Sequence, residues 1–126
     1  MNIPSNLKYT NDHEWILVEG NIGTIGITEY AQGELGDVVF VDIDPALTSI
    51  TSGQNFGTIE AVKTVSELYA PVTGKVLEIN QILTNNPETI NVDPYGEGWM
   101  VKVDIENPGE LESLLDSEAY KALIGR

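Results

Sequence analysis

The chain has 126 residues, enough for one domain whose core needs neither metal nor disulfide to hold it. It carries 6 Lys plus Arg against 20 Asp plus Glu, a formal net charge of −14, which repels phosphate and argues against nucleic-acid or anionic-membrane surfaces. Hydrophobic residues, at 41%, are too many for a disordered acidic tail, and the absence of cysteine excludes disulfide scaffolds, thiol nucleophiles and any dithiol supplied by the polypeptide.

The first two-thirds reads as short strands. Glu14 to Val18, the turn Glu19-Gly20-Asn21 and Ile22 to Thr28 predict a hairpin. Thr28-Glu29-Tyr30-Ala31 predicts a short capped helix, ended by Gly33 or Gly36. Asp37 to Asp44 alternates β-branched and aromatic residues and stops at Pro45, which cannot continue a ladder. Phe56 to Val62 and Glu67 to Leu77 are further strand-like runs, interrupted at Lys63-Thr64 and again at Pro71 and Gly74. Trp99 to Ile105 closes the series before Asn107-Pro108-Gly109. In the tail, Pro108 followed by Leu111, Leu114 and Leu115 at helical spacing predicts a helix, with another turn from Ser117 carrying Tyr120, Leu123 and Ile124. Many short strands punctuated by Gly and Pro predict a barrel or sandwich, with nothing dividing residues 1–126 into two domains. The segments Val39 to Ile43 and Val101 to Ile105 nearly repeat one another, as equivalent strands of two similar halves would. No apolar run approaches the length of a membrane span, and Met1-Asn2-Ile3-Pro4 carries no presequence signal, so a soluble, cytoplasmic protein is expected.

No catalytic constellation is visible. His13 is the single histidine, no G-x-S-x-G elbow exists, and a hydrogen-bonded structural role suits His13 better than general-base chemistry. Asp42 and Asp44 share a strand face but lack the loop a calcium site needs, and zinc would lack ligands. Lysine is scarce, and Lys63 is singular in its context: two strand runs flank it with little between them, which places it at the tip of a tight hairpin. Such a tip exposes an amine while the strands fix its direction, a geometry suited to covalent attachment of a cofactor.

Glu60-Ala61-Val62-Lys63, followed by Tyr69-Ala70-Pro71-Val72-Thr73-Gly74, resembles the lipoylation site of the glycine cleavage H-protein family. His13-Glu14-Trp15, Gly26 to Gln32, Leu35 to Val41, Asn86-Pro87-Glu88, Asn91 to Pro94, Gly98-Trp99 and Glu110 to Leu115 resemble family blocks in family order. The resemblance runs from about Leu7 to Leu123. Biotinyl domains place Met on both sides of the modified lysine, whereas Val62 and Thr64 stand here; lipoyl domains of 2-oxoacid dehydrogenases lack the tail helix.

The resemblance implies a mainly β, barrel-sandwich hybrid of the lipoyl- and biotinyl-carrier type, built of two similar halves with short helices and a C-terminal helical segment. It implies a carrier and not an enzyme, with lipoic acid in amide linkage to Lys63. The partners it implies are a pyridoxal-phosphate glycine decarboxylase that loads an aminomethyl group, a tetrahydrofolate-dependent aminomethyltransferase that removes the carbon, a dihydrolipoyl dehydrogenase, and a lipoate-attaching enzyme. A cysteine-free chain can perform dithiol chemistry only through such an acquired group. By position, Glu14 and Glu67, with Asp12 nearby, match residues that hold the loaded arm's amine in a cleft. Glu60 and Gly74 match positions that attaching enzymes recognise, and Gly74 also reads as a turn residue needing positive φ. Ala61 stands where Ser is common, Asp12 where a variable polar residue does, and Lys75 where an acidic residue is frequent. A monomer is expected. Two alternatives stand beside the carrier: a related relay that passes lipoyl groups to other carriers, and an unmodified acidic interaction module.

Overall fold

The apolar runs become strands and the tight turns fall where glycine and polar residues permit them. In the computed structural model, which covers residues 1–126, the strands are β1 (Lys8–Tyr9), β2 (Glu14–Glu19), β3 (Ile22–Ile27), β4 (Val38–Asp42), β5 (Ser49–Ile50), β6 (Asn55–Ala61), β7 (Val65–Tyr69), β8 (Gly74–Ile79) and β9 (Val101–Ile105). The helices are α1 (Glu29–Leu35), α2 (Ile82–Asn85), α3 (Thr89–Val92) and α4 (Ser117–Leu123), with a 3₁₀ turn over Pro108–Ser113. One sheet has six strands in the order β1-β2-β3-β9-β8-β5 and the other three in the order β4-β6-β7. The expected mainly β carrier fold is thus a two-sheet sandwich, and no closed barrel forms.

A single apolar cluster fills the space between the sheets. It draws Ile16, Ile25, Val101 and Val103 from the large sheet and Val38, Phe56, Ile59 and Leu68 from the small one, each side chain contributing roughly 1.5–3 kcal/mol. At the start of β2 burial does not alternate: Glu14, Trp15 and Ile16 are all buried. Both faces of that strand are covered: Ile16 joins the main cluster, while Trp15 joins a second one with Ile3, Leu7, Tyr9 and Tyr120. The Trp15 indole N–H, which burial would otherwise orphan, donates to the Ile27 and Pro94 carbonyls at 2.9 and 3.0 Å.

The capped helix forms as its sequence predicts. Thr28 Oγ1 accepts the Ala31 amide at 3.1 Å, and the helix runs past Gly33 to end at Gly36, whose φ of +80° with ψ of −156° is open essentially to glycine alone.

The tail departs from expectation. Leu114 is extended, and Leu115 exchanges two 2.8 Å hydrogen bonds with Tyr9, so the leucines do not lie on one α-helix. Asn107 Oδ1 caps a 3₁₀ turn, after which pairing with β1 straightens the chain. Helical spacing yields to a long-range bridge. α4 then begins after Asp116, whose carboxylate accepts the Ala119 amide at 2.8 Å. Its Tyr120 stacks on Tyr9 with ring centroids 4.6 Å apart.

The two near-identical segments do not occupy equivalent places. β4 is an edge strand with Val39 53% exposed, whereas β9 lies inside the large sheet with the matching Val101 at 0%.

Candidate functional site

β6 and β7 are joined by Val62-Lys63-Thr64, and the Ala61 amide closes the turn on the Thr64 carbonyl at 2.8 Å. A second tie comes from outside the hairpin, where the Val62 amide donates to the Asp37 carbonyl at 2.9 Å. Lys63 lies at the tip, exposed, and makes no ion pair; the chain's ion pair is Lys121–Glu118 at 3.2 Å. The Lys63 stem runs beside Gly36: a Cβ there would stand 3.4 Å from Lys63 Cε and 3.5 Å from Cδ. The stem from Cγ to Cε therefore lies along α1's end, while the residue as a whole is exposed.

Glu60 is exposed on β6, in a cross-strand row between Phe40 and Val65. Gly74 does not sit in a positive-φ turn. It opens β8, buried and paired with Ile50 and Ile105, and its φ is not positive. A Cβ at Gly74 would collide with the Asp104 carbonyl, so close approach of the neighbouring backbone demands glycine there. Glu60 and Gly74 stand on different sheets.

Asp12, Glu14 and Glu67 do come together. They line one cleft of about 240 Å³, with His13 beside them and Tyr30 and Glu34 from α1 opposite. The two α1 residues are one turn apart on a single face, a spacing that sequence periodicity could have revealed. Apolar side chains of Ile27, Leu35, Ile59 and Leu68 complete the walls.

Glu14 is no ordinary strand-end carboxylate. It is 1% exposed, Oε1 accepts from Thr10 Oγ1 at 2.8 Å, and Oε2 accepts from the Tyr69 amide at 3.1 Å. Burial pushes its pKa up to about 7, against the opposing pull of those two hydrogen bonds, and the nearby Asp12 charge adds to the rise. Glu67 and Asp12 are exposed, and Glu67 Oε2 accepts from Tyr69 Oη at 2.6 Å.

His13 is the non-glycine residue held at positive φ, +67°. Its Nδ1 lies 2.9 Å from Tyr120 Oη, which is 2.7 Å from Thr28 Oγ1, and its ring sits 5.0 Å from that of Tyr30. Burial lowers its pKa, while Asp12 and Glu34 pull the other way. His13 is thus a half-buried, hydrogen-bonded residue in the left-handed backbone region between Asp12 and Glu14.

Two packed sheets with an exposed, unpaired lysine on a braced hairpin define the fold class of the lipoyl- and biotinyl-carrier proteins. The family model of the glycine cleavage H-protein matches residues 7–126, and the chain belongs to that family. It is 56% identical over 124 residues to the glycine cleavage system H protein of Bacteroides thetaiotaomicron, covering 98% of both chains. It is also 56% identical over 125 residues to the protein of that name in Staphylococcus saprophyticus, covering 99% of both. The crystal structure of a glycine cleavage system H protein from Mycobacterium marinum superposes with a TM-score of 0.89 at 37% identity, covering 98% of this chain and 100% of that one. Family membership assigns the chain the carrier role in glycine cleavage.

Proposed function

We propose that residues 1–126 form one lipoyl-carrier domain, with lipoic acid joined by an amide to Lys63 Nζ and the cleft of Asp12, Glu14 and Glu67 as the docking place of the loaded arm. The observation that carries this reading is the exposed, unpaired Lys63 on a turn tied at two points, its stem against Gly36, which follows Leu35 in the wall of a cleft that Asp12, Glu14 and Glu67 also line. When bound, the lipoyl group supplies a disulfide that takes up the aminomethyl group of glycine and is left as a dithiol for reoxidation. The polypeptide does the rest by position. The hairpin fixes the root of the arm, so that tethering supplies effective concentration at each partner enzyme in turn.

A protonated amine carried into the cleft meets Glu14 first as a buried acid whose pKa of about 7 leaves it partly protonated at neutral pH. The cation displaces that proton and gains a charge-assisted partner already held by Thr10 and Tyr69, while Ile27, Leu35, Ile59 and Leu68 exclude water from the labile group. Glu67 and Asp12, exposed at the rim, draw the cation inward. Glu60, on the outer face close to the tip, and Gly74, through the strand geometry it permits, serve recognition by the lipoate-attaching enzyme.

In this reading the protein is non-catalytic, monomeric and cytoplasmic. It is served by the pyridoxal-phosphate decarboxylase, the tetrahydrofolate-dependent aminomethyltransferase and dihydrolipoyl dehydrogenase. Relatives 54% to 56% identical to this chain carry the glycine cleavage name, which favours this role over a lipoate relay. Glycine–bicarbonate exchange with the decarboxylase separates the two. The lipoylated chain supports exchange and Lys63→Arg abolishes it; lipoyl transfer to other carriers without exchange would contradict the proposal.

A further inference from the structure

The lysine turn is braced from a distant part of the chain. Asn91, in α3, makes three side-chain hydrogen bonds: Oδ1 accepts the Val38 amide at 2.9 Å, and Nδ2 donates to the Gly36 carbonyl and to Gln32 Oε1, each at 2.9 Å. Gly36 and Val38 bracket Asp37, and the Asp37 carbonyl is the acceptor for the Val62 amide, next to Lys63. Gly36 also flanks the Lys63 stem. Both contacts that steady the tip from outside its own hairpin therefore pass through residues 36–38, and Asn91 grips that segment on either side of Asp37.

We propose that Asn91 is a positioning residue for lipoylation: its amide fixes the Gly36–Val38 segment, which holds the Val62-Lys63-Thr64 turn in the conformation the attaching enzyme accepts. The inference rests on Lys63 being the attachment point. Without Asn91 the turn keeps its own closing bond, Ala61 to Thr64, but loses its fixed backing and spends less time in the accepted shape. A ligand that binds one conformer sees its apparent affinity fall by the fraction of that conformer, so the deficit belongs to KM rather than kcat.

Asn80 provides a matched control. It too makes three side-chain hydrogen bonds, donating to the Glu97 and Trp99 carbonyls at 2.8 and 2.7 Å and accepting from the Ile82 amide at 3.1 Å, none of which touches residues 36–38 or the turn.

Apo protein is assayed with a lipoate–protein ligase, lipoate and ATP, with hydrogen exchange at the Val62 amide read in parallel. Asn91→Ala is expected to raise KM for the protein about tenfold with kcat within about twofold, and to speed Val62 exchange about tenfold. Asn80→Ala is expected to lower thermal stability comparably and leave both readouts at wild-type values. Asn91→Asp keeps the acceptor for Val38 but sets a carboxylate oxygen against the Gly36 carbonyl, so it raises KM at least as far and serves if the alanine variant does not fold. An Asn91 variant with wild-type KM and Val62 exchange overturns the proposal, as does Asn80→Ala raising KM equally. A wild-type chain that the ligase leaves unmodified at Lys63 overturns the attachment reading and this one with it.

Discussion

The tip of the β6–β7 hairpin and the floor of the adjacent cleft hold charged side chains under opposite conditions. At the tip, Lys63 is exposed, its neighbour Val62 is 72% exposed, and no carboxylate pairs with the ammonium. On the floor, Glu14 is 1% exposed, each carboxylate oxygen accepts a hydrogen bond, and burial has lifted its pKa to about 7. Anchoring and storing are different tasks. An anchor needs access and a rigid base, so its energetic contribution to the fold is small. A storage site needs a dry, preorganised partner, and the fold bears the cost of burying it.

The largest expected effect lies at the tip. Lys63→Arg removes the attachment point and with it all exchange activity, yet thermal unfolding stays within about 0.5 kcal/mol of wild type because the side chain is exposed and unpaired. Loss of stability comparable to a core variant would mean that the tip is structural after all.

Gly74 inverts that pattern. Gly74→Ala drives a methyl group against the Asp104 carbonyl at a β8–β9 contact, costing about 3 kcal/mol in denaturant unfolding and slowing lipoylation only as the fold is lost. A stable Gly74→Ala protein that the ligase ignores would instead make Gly74 a direct recognition element.

Glu14→Gln sharpens the contrast further. Because the folded-state pKa is raised from 4.5 to about 7, the folded protein holds a proton through that window that the unfolded chain has released. Glu14's contribution to stability therefore falls as pH rises from about 4.5 to 7 and stays low above it. Glutamine removes the buried charge and can still accept from the Tyr69 amide. Glu14→Gln is thus expected to be about 2 kcal/mol more stable than wild type at pH 8 and equal to it below about pH 4.5. The same variant should release its bound amine faster, and unchanged retention would remove Glu14 from the storage site.

The smallest effect concerns encounter. With a net charge of −14, association with the partner enzymes should weaken roughly tenfold between low and high salt, as measured by titration calorimetry or exchange kinetics.

What could be read in advance was local. The Glu14–Glu19 and Ile22–Ile27 hairpin, the Thr28 cap and the place of Lys63 between two strand runs depend on contiguous residues, and the chain states them openly. The rest depends on partners far along the chain. Nothing near Glu14 in sequence announces that Tyr69 will cover and bind it. Gly74, three residues past Pro71, has the look of a turn glycine, and only the Asp104 backbone reveals why it is glycine. Leu111, Leu114 and Leu115 have helical spacing that the bridge from Leu115 to Tyr9 overrides. The four-residue α2 and α3 are too short to show any period, and Asn91 makes its three bonds entirely outside its own helix.

The central claim is that one exposed amine roots the cofactor. Tandem mass spectrometry of peptides that together cover Lys8, Lys63, Lys75, Lys102 and Lys121, from protein made in a lipoate-replete native host, tests it directly. The account predicts a lipoyl adduct on Lys63 and none on Lys75 or Lys102; an unmodified Lys63, or the adduct on another lysine, would contradict it.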